Sequence, residues 1–165
     1  CIDSWHKYLP DFELVHWDAE KARATGIPWV TGALEEKRWA FAADAVRLHA
    51  LYTEGGFYLD TDVEVLRPIE PLLNRPNAFG YENGSHRIEA AVMGCEAGFA
   101  PVKAALDYYK SREFTYSESD VDDMATAISI KYFITPPSNR EHRQELSQWN
   151  VHSMVVQCSS LFLRY

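Results

Sequence analysis

The chain has 165 residues, 47% hydrophobic, 13% aromatic and 24% charged, which excludes the disordered and collagen-like classes and leaves one ordinary globular domain over residues 1–165. At that length folding buries roughly 70% of the unfolded surface, enough for a core without metal or disulfide staples. Sixteen basic and 24 acidic side chains give a formal charge of −8, which argues against nucleic acid as a partner, because phosphate recognition needs a clustered basic surface.

Residues 1–9 read as the end of a helix stopped by Pro10, since the residue before a proline is pushed out of the helical region. Phe12-Glu13-Leu14-Val15-His16-Trp17 reads as a short, largely apolar strand. Residues 35–54 form the strongest helix, with Trp39, Ala43, Val46 and Ala50 on one stripe, and Gly55-Gly56 stop it as a left-handed cap would. Phe57-Tyr58-Leu59 is a brief apolar strand that ends abruptly in Asp60-Thr61-Asp62. Val63, Val65 and Leu66 resume the apolar pattern before Pro68 and Pro71 break it. Ala90-Ala91-Val92-Met93-Gly94-Cys95 reads as a buried strand, and Phe99, Val102, Ala105, Leu106 and Tyr109 mark an amphipathic helix. A further helix is expected over residues 119–133, capped by Ser119 with Asp122 and Asp123 in its first turn, and Pro136-Pro137 end it. Strands alternating with helices imply an α/β layered fold with a mainly parallel sheet.

Cys1, Cys95 and Cys158 form neither a CxxC pair nor a metal-finger spacing, and their odd number argues against a disulfide framework, so a reducing compartment is expected. No apolar run approaches the roughly 18 residues of a membrane span, and the first residues lack the apolar stretch of a signal peptide. The first residue is not Met, so a processed product or a fragment is expected.

Asp60-Thr61-Asp62 is the first candidate for chemistry. In an extended segment residues i and i+2 point the same way, so two carboxylates can converge on one hard cation. Alone the triplet decides nothing: ten aspartates in 165 positions predict roughly 0.6 such triplets by chance, and a second one, Asp120-Val121-Asp122, sits at an expected helix start where the dipole accounts for it. Asp60 and Asp62 differ in position, at the carboxyl end of an apolar strand, where open α/β sheets place their ligands. Few carboxylates, with water and phosphate oxygens completing the shell, is the usual arrangement for Mg²⁺ or Mn²⁺. Upstream, Asp44 and Arg47 lie three apart on the helix and present an acceptor and a fork of donors on one flank, either as an intrahelical ion pair or as part of a site.

The run from Ala42 to Glu64, with the pattern A-x-D-x-x-R-x-x-x-L-Y-x-x-G-G-x-Y-x-D-x-D, joins a helix, a glycine stop and a strand end. It resembles the sugar-nucleotide glycosyltransferases that carry a DXD sequence, of the family 32 type, which includes capsular polysaccharide and mannosyl transferases and is related to the clostridial glucosylating toxins. Ser4-Trp5 with Tyr8-Leu9-Pro10-Asp11-Phe12-Glu13, and the stretch from Ala91 to Tyr109, resemble further segments of that family. The resemblance implies a GT-A fold, a nucleotide-binding α/β domain with a mainly parallel sheet flanked by helices, and a UDP- or GDP-sugar donor bound through a divalent cation, Mn²⁺ or else Mg²⁺. It implies that Asp44 and Arg47 hold the donor sugar and diphosphate, that Asp60 contacts ribose, sugar and metal, that Asp62 ligates the metal, and that Tyr58 supports the strand beneath them. It further implies retention at the anomeric carbon, with a saccharide or lipid-linked saccharide acceptor of a bacterial envelope or capsule, reached from the inner face of the membrane.

The family's first strand, which carries an aromatic contact to the base, has no counterpart before Cys1, and its late His-containing segment has only a loose one in Trp149-Asn150-Val151-His152-Ser153. The domain is therefore expected to be shortened at both ends. The loop Glu82-Asn83-Gly84-Ser85-His86-Arg87 stands where an acceptor loop or an ordinary polar loop would, Trp29 and Trp39 suit stacking or core, and Cys95 reads as a small buried hydrophobe. Two rival functions share these residues. One is an inert GT-A-fold domain that binds sugar nucleotide or metal without transfer. The other is a haloacid-dehalogenase-type phosphatase, whose motif normally continues with Gly where Val63 and Glu64 follow here.

Overall fold

The computed structural model describes residues 1–81, 88–116 and 161–164. Helix α1 (Ile2–Tyr8) ends as expected: the Leu9 N–H donates to the Trp5 carbonyl at 2.7 Å, and Leu9 leaves the helical region ahead of Pro10. Strand β1 (Glu13–His16) follows. Two helices then occupy a stretch whose spacing announced none. Helix α2 (Ala19–Ala24) starts on Asp18, whose carboxylate accepts the Glu20 and Lys21 N–H groups at 3.0 and 2.9 Å, and α3 (Pro28–Glu35) starts with proline in its first turn.

The single helix expected over residues 35–54 is in fact the end of α3, a turn, and α4 (Trp39–Glu54). The Arg38 N–H donates to the Ala33 carbonyl at 2.7 Å and the Lys37 N–H to Leu34 at 3.2 Å, with Lys37 at φ +57°. That is a Schellman closure built on lysine instead of glycine, and the good helix formers around it masked the break. Trp39 accordingly lies at the exposed start of α4, 56% accessible, and the buried face runs through Ala42, Ala45, Val46, Leu48, Ala50 and Leu51.

Gly55 ends α4 at φ +69°, donating to the Leu51 carbonyl at 3.0 Å, and a Cβ there would lie 2.7 Å from the Ala97 nitrogen. The chain passes at once into β2 (Gly56–Leu59). After a 3₁₀ turn (Glu70–Asn74) come β3 (Asn77–Tyr81), β4 (Ile88–Cys95), α5 (Ala100–Lys110) and β5 (Leu161–Arg164). The helix expected over residues 119–133 and the segment around His152 lie outside the described residues, as does the loop 82–87.

The described strands form one mixed-connection sheet in the order β1-β5-β2-β4-β3, and each of its four pairings is antiparallel, not parallel as expected. The reason is insertion. β1 and β2, joined through α2–α4, do run the same way, but β5 lies between them in the opposite sense, with His16 and Leu59 both opposite Leu161. β3 and β4 then pair as neighbours in sequence. Alternation of helices and strands specifies the relative direction of β1 and β2; it does not specify which strand sits between them.

Both faces of β2 are covered, which explains why three consecutive apolar residues were required there. Tyr58, opposite Met93, packs with Trp29, Val30, Leu48, Leu51, Leu106 and other residues of α3, α4 and α5. Phe57 and Leu59 point the other way, into a cluster with Trp5, Leu9, Phe12, Val63, Val65 and Ile69. Val63 and Val65 thus join the core as expected, while Leu66 is exposed.

Candidate active site

The carboxyl end of β2 brings four of the five candidate residues together. Arg47 projects from the buried face of α4 and is only 9% accessible. Its Nη2 donates to the Asp44 carboxylate at 2.6 Å, one turn back on the same helix, and its Nη1 donates to the Ala90 carbonyl of β4 at 2.7 Å. Nη1 also lies 3.9 Å from the Asp60 carboxylate, and the guanidinium sits 4.7 Å from the centre of the Tyr58 ring. The Tyr58 hydroxyl donates to the same Asp60 oxygen. Asp44, Arg47, Tyr58 and Asp60 therefore form one network whose carboxylates remain open to a ligand, with side chains 40% accessible for Asp44 and 35% for Asp60.

The local backbone differs from the extended one expected for Asp60-Thr61-Asp62. β2 stops at Leu59, the Asp60 N–H donates to the Ala91 carbonyl at 2.9 Å, and the Val63 N–H returns to the Asp60 carbonyl at 2.9 Å. The triplet is thus a tight turn, because its last main-chain bond closes on itself instead of continuing the ladder. Asp62 stands on that turn, half-buried and outside the network around Arg47. Its main-chain oxygen is approached by the Cys1 thiol at 3.4 Å.

Electrostatics follow from this packing. Burial disfavours the Arg47 cation, but Tyr58, Asp44, Asp60 and Tyr109 outweigh it and hold its pKa above the ordinary value, so it is charged at any working pH. Burial pushes the Asp44 carboxyl upward, with Arg47 opposing and Asp60 adding to the rise. With 40% of that side chain in solvent and a guanidinium at 2.6 Å, Asp44 is taken as ionised near neutral pH. Two carboxylates around one guanidinium leave the network short of positive charge, and Asp62 adds a third carboxyl group on the turn beside it.

That deficit and the hard oxygen donors fit a divalent cation. Among the described residues no group of three or more His, Cys, Asp or Glu is placed to hold a metal ion unaided. Asp60 and Asp62 are the acidic pair on the turn, and two carboxylates completed by ligand oxygens and water are the usual Mg²⁺ or Mn²⁺ pattern.

Other expectations resolve simply. Trp29 is core, packed edge-on against Tyr109 and Phe114, whereas Trp39 is on the surface. Cys95 is buried with its thiol 3.8 Å from the Leu51 carbonyl, and burial followed by Glu96 pushes its pKa up to about 12, so it is inert as a nucleophile. A hollow of about 230 Å³, lined by Glu54, Phe57, Leu72, Arg75, Ala78 and Glu96 among others, lies at the start of β2, the far end of the strand from Asp60. We assign the site by chemistry, because that hollow gathers none of the network residues. Sequence reasoning missed the Ala90 carbonyl, which no side-chain spacing could reveal, and the contacts of α1 behind the acidic turn.

Residues 1–79 match the family model described as a glycosyltransferase sugar-binding region containing a DXD motif. The chain is 38% identical over 102 residues to an inositol phosphoceramide mannosyltransferase 3 of Schizosaccharomyces pombe (strain 972 / ATCC 24843), a match that covers 59% of this chain and 27% of the relative. The match thus spans about a quarter of that relative's length. No solved structure matches the chain.

Proposed function

Because residues 1–79 carry the sugar-binding region of DXD-containing glycosyltransferases, we propose that the chain transfers a sugar from a nucleoside-diphosphate sugar to a hydroxyl of a saccharide or lipid-borne acceptor, with Mn²⁺ or Mg²⁺ and with retention at the anomeric carbon. The observation that carries this reading is the buried Arg47 clamped between Asp44, the Ala90 carbonyl and the Tyr58 ring, with Asp60 beside it. UDP is the favoured carrier from the resemblance of the Asp44–Asp62 pattern, and the mannosyltransferase named above makes GDP-mannose the second donor to test. That relative's name also favours a lipid headgroup over the capsular acceptor expected at first. A cytoplasmic setting at a membrane face remains our reading, and no helix among the described residues is long and apolar enough to cross a membrane.

The chain's own residues account for much of the chemistry. Cleaving the sugar from a nucleoside diphosphate builds negative charge on the leaving phosphate and positive charge on the ring. Arg47, held rigid by four neighbours, is pre-organised to meet the first, and the open carboxylates of Asp44 and Asp60 can accept sugar hydroxyls and offset the second. The Tyr58 hydroxyl fixes which Asp60 oxygen remains available. A divalent ion on Asp60 and Asp62, when bound, supplies further charge stabilisation at the diphosphate.

The test is to titrate UDP-glucose, UDP-galactose and GDP-mannose with and without Mn²⁺ and then assay free nucleotide. Metal-dependent binding with nucleotide release supports transfer or its hydrolytic side reaction. Binding without turnover identifies the inert form, and phosphate release without nucleotide identifies a phosphatase. Asp62→Ala should abolish metal-dependent binding and leave the circular-dichroism spectrum unchanged, since a turn carboxylate contributes little to the core. Full metal-dependent affinity in that variant would reject the metal assignment.

A further inference from the structure

We propose that Trp5 and Ser4 of α1 are positioning residues that hold the acidic turn in the geometry its ligand needs. The proposal rests on the glycosyltransferase reading of that turn and extends it to residues that touch neither donor nor metal. Trp5 is 1% accessible, and its indole N–H donates to the Val63 carbonyl at 2.8 Å, in the residue directly after Asp62. A buried indole N–H must find an acceptor, and the one it finds is main chain, so the ring cannot turn away without orphaning both groups. Two residues further on, the Val65 N–H donates to the Ser4 hydroxyl at 2.9 Å, and that hydroxyl donates to the Cys1 carbonyl at 2.5 Å, which sets its direction.

These bonds complete a hold on both sides of the turn. In front of it the Asp60 N–H is tied to the Ala91 carbonyl of β4; behind it Val63 and Val65 are tied to α1. The side chains agree with the main chain, because Trp5 packs with Phe57, Leu59, Val63, Val65 and Ile69 in one buried cluster. Most of the other α1 positions, Ile2, Asp3, His6 and Lys7, are exposed, so the helix has little buried contact besides this one. The physical need is clear: two carboxylates two residues apart repel and would splay the turn unless the backbone that follows is fixed. Pre-organising them spares the ordering cost when the ligand binds.

The experiment uses Trp5→Phe, which keeps a ring but removes the N–H, Ser4→Ala, which removes the acceptor, and Leu9→Ala, which deletes apolar contacts in the same cluster without touching a polar partner of the turn. Free Mn²⁺ is measured by electron paramagnetic resonance in the presence of saturating UDP, alongside thermal unfolding and UDP affinity in EDTA. Trp5→Phe and Ser4→Ala should each weaken Mn²⁺ five- to tenfold with metal-free UDP affinity unchanged, while Leu9→Ala lowers Tm and binds Mn²⁺ like the wild type. Should Trp5→Phe fail to fold, Ser4→Ala decides. Unchanged Mn²⁺ affinity in both variants, or an equal loss in Leu9→Ala, overturns the positioning role. Absence of Mn²⁺ binding by the wild-type chain with UDP overturns the site reading itself, and the proposal with it.

Discussion

Arg47 shows how much one side chain can organise: its two terminal nitrogens meet a carboxylate on its own helix and a carbonyl on a strand, while its flat face rests on Tyr58. Removing only the hydroxyl from that ring tests the arrangement with little disturbance. Tyr58→Phe keeps the surface beneath the guanidinium and loses the bond to Asp60. We expect turnover to fall about tenfold, the equivalent of one hydrogen bond of roughly 1.4 kcal/mol, with Tm nearly unchanged. Steady-state rates beside a thermal melt check this. A second residue-scale prediction concerns His49, which packs edge-on against Trp17 with a buried Nδ1 lacking a hydrogen-bond partner. Burial, then Lys110, lowers its pKa below 6.5, with Glu54 opposing. The unfolded chain therefore takes up this proton first as pH falls, and stability is lost from about pH 6.5 downward toward the folded pKa. Urea unfolding between pH 7.5 and 5 should show a smaller decline for His49→Gln than for the wild type.

At the scale of elements, the turn between α3 and α4 is where sequence and structure part most clearly. Glu35-Glu36-Lys37-Arg38 are all good helix formers, yet the chain reverses through Lys37 at φ +57°. A side chain in that region costs about 1 kcal/mol relative to glycine. Lys37→Gly should therefore stabilise the fold by about 1 kcal/mol and raise Tm by roughly 2–4 °C. The opposite end of α4 was legible, because Gly55 stands where only a residue free of Cβ fits against Ala97. The same contrast runs through the strands. The apolar runs of β2 and β4 located both elements, and the carboxylates that follow β2 located the site. α2 and α3 were missed because at 6 and 8 residues they give periodicity little room, although Asp18 and Pro28 mark their starts.

For the whole molecule, a formal charge of −8 repels an anionic ligand, so the proposed nucleotide-sugar binding relies on Arg47 and on a cation shared with the acidic turn. Linked stabilisation makes this measurable. At a hundredfold excess over the dissociation constant a ligand specific to the folded state adds about 2.7 kcal/mol, which corresponds to a rise in Tm of roughly 5–10 °C for a chain of this size. UDP with Mn²⁺ should produce such a rise, EDTA should remove most of it, and Asp62→Ala should show none of the metal-dependent part. Differential scanning fluorimetry is sufficient to see it.

Local chemistry told the type and place of α1, β1, β2, β4, α5 and most of α4, and it offered Asp44, Arg47, Asp60 and Asp62 as candidates, because helix spacing, glycine stops and strand ends act over a few residues; Tyr58 was added only by the resemblance of the Ala42–Glu64 run. Folding in three dimensions decided the rest: the insertion of β5 between β1 and β2, the turn in place of an extended Asp60-Thr61-Asp62, the Ala90 carbonyl beneath Arg47 and the grip of α1 on Val63 and Val65. These last contacts join residues 43, 58 and 61 positions apart, and no periodicity in a chain can announce which distant backbone atom a buried donor will meet.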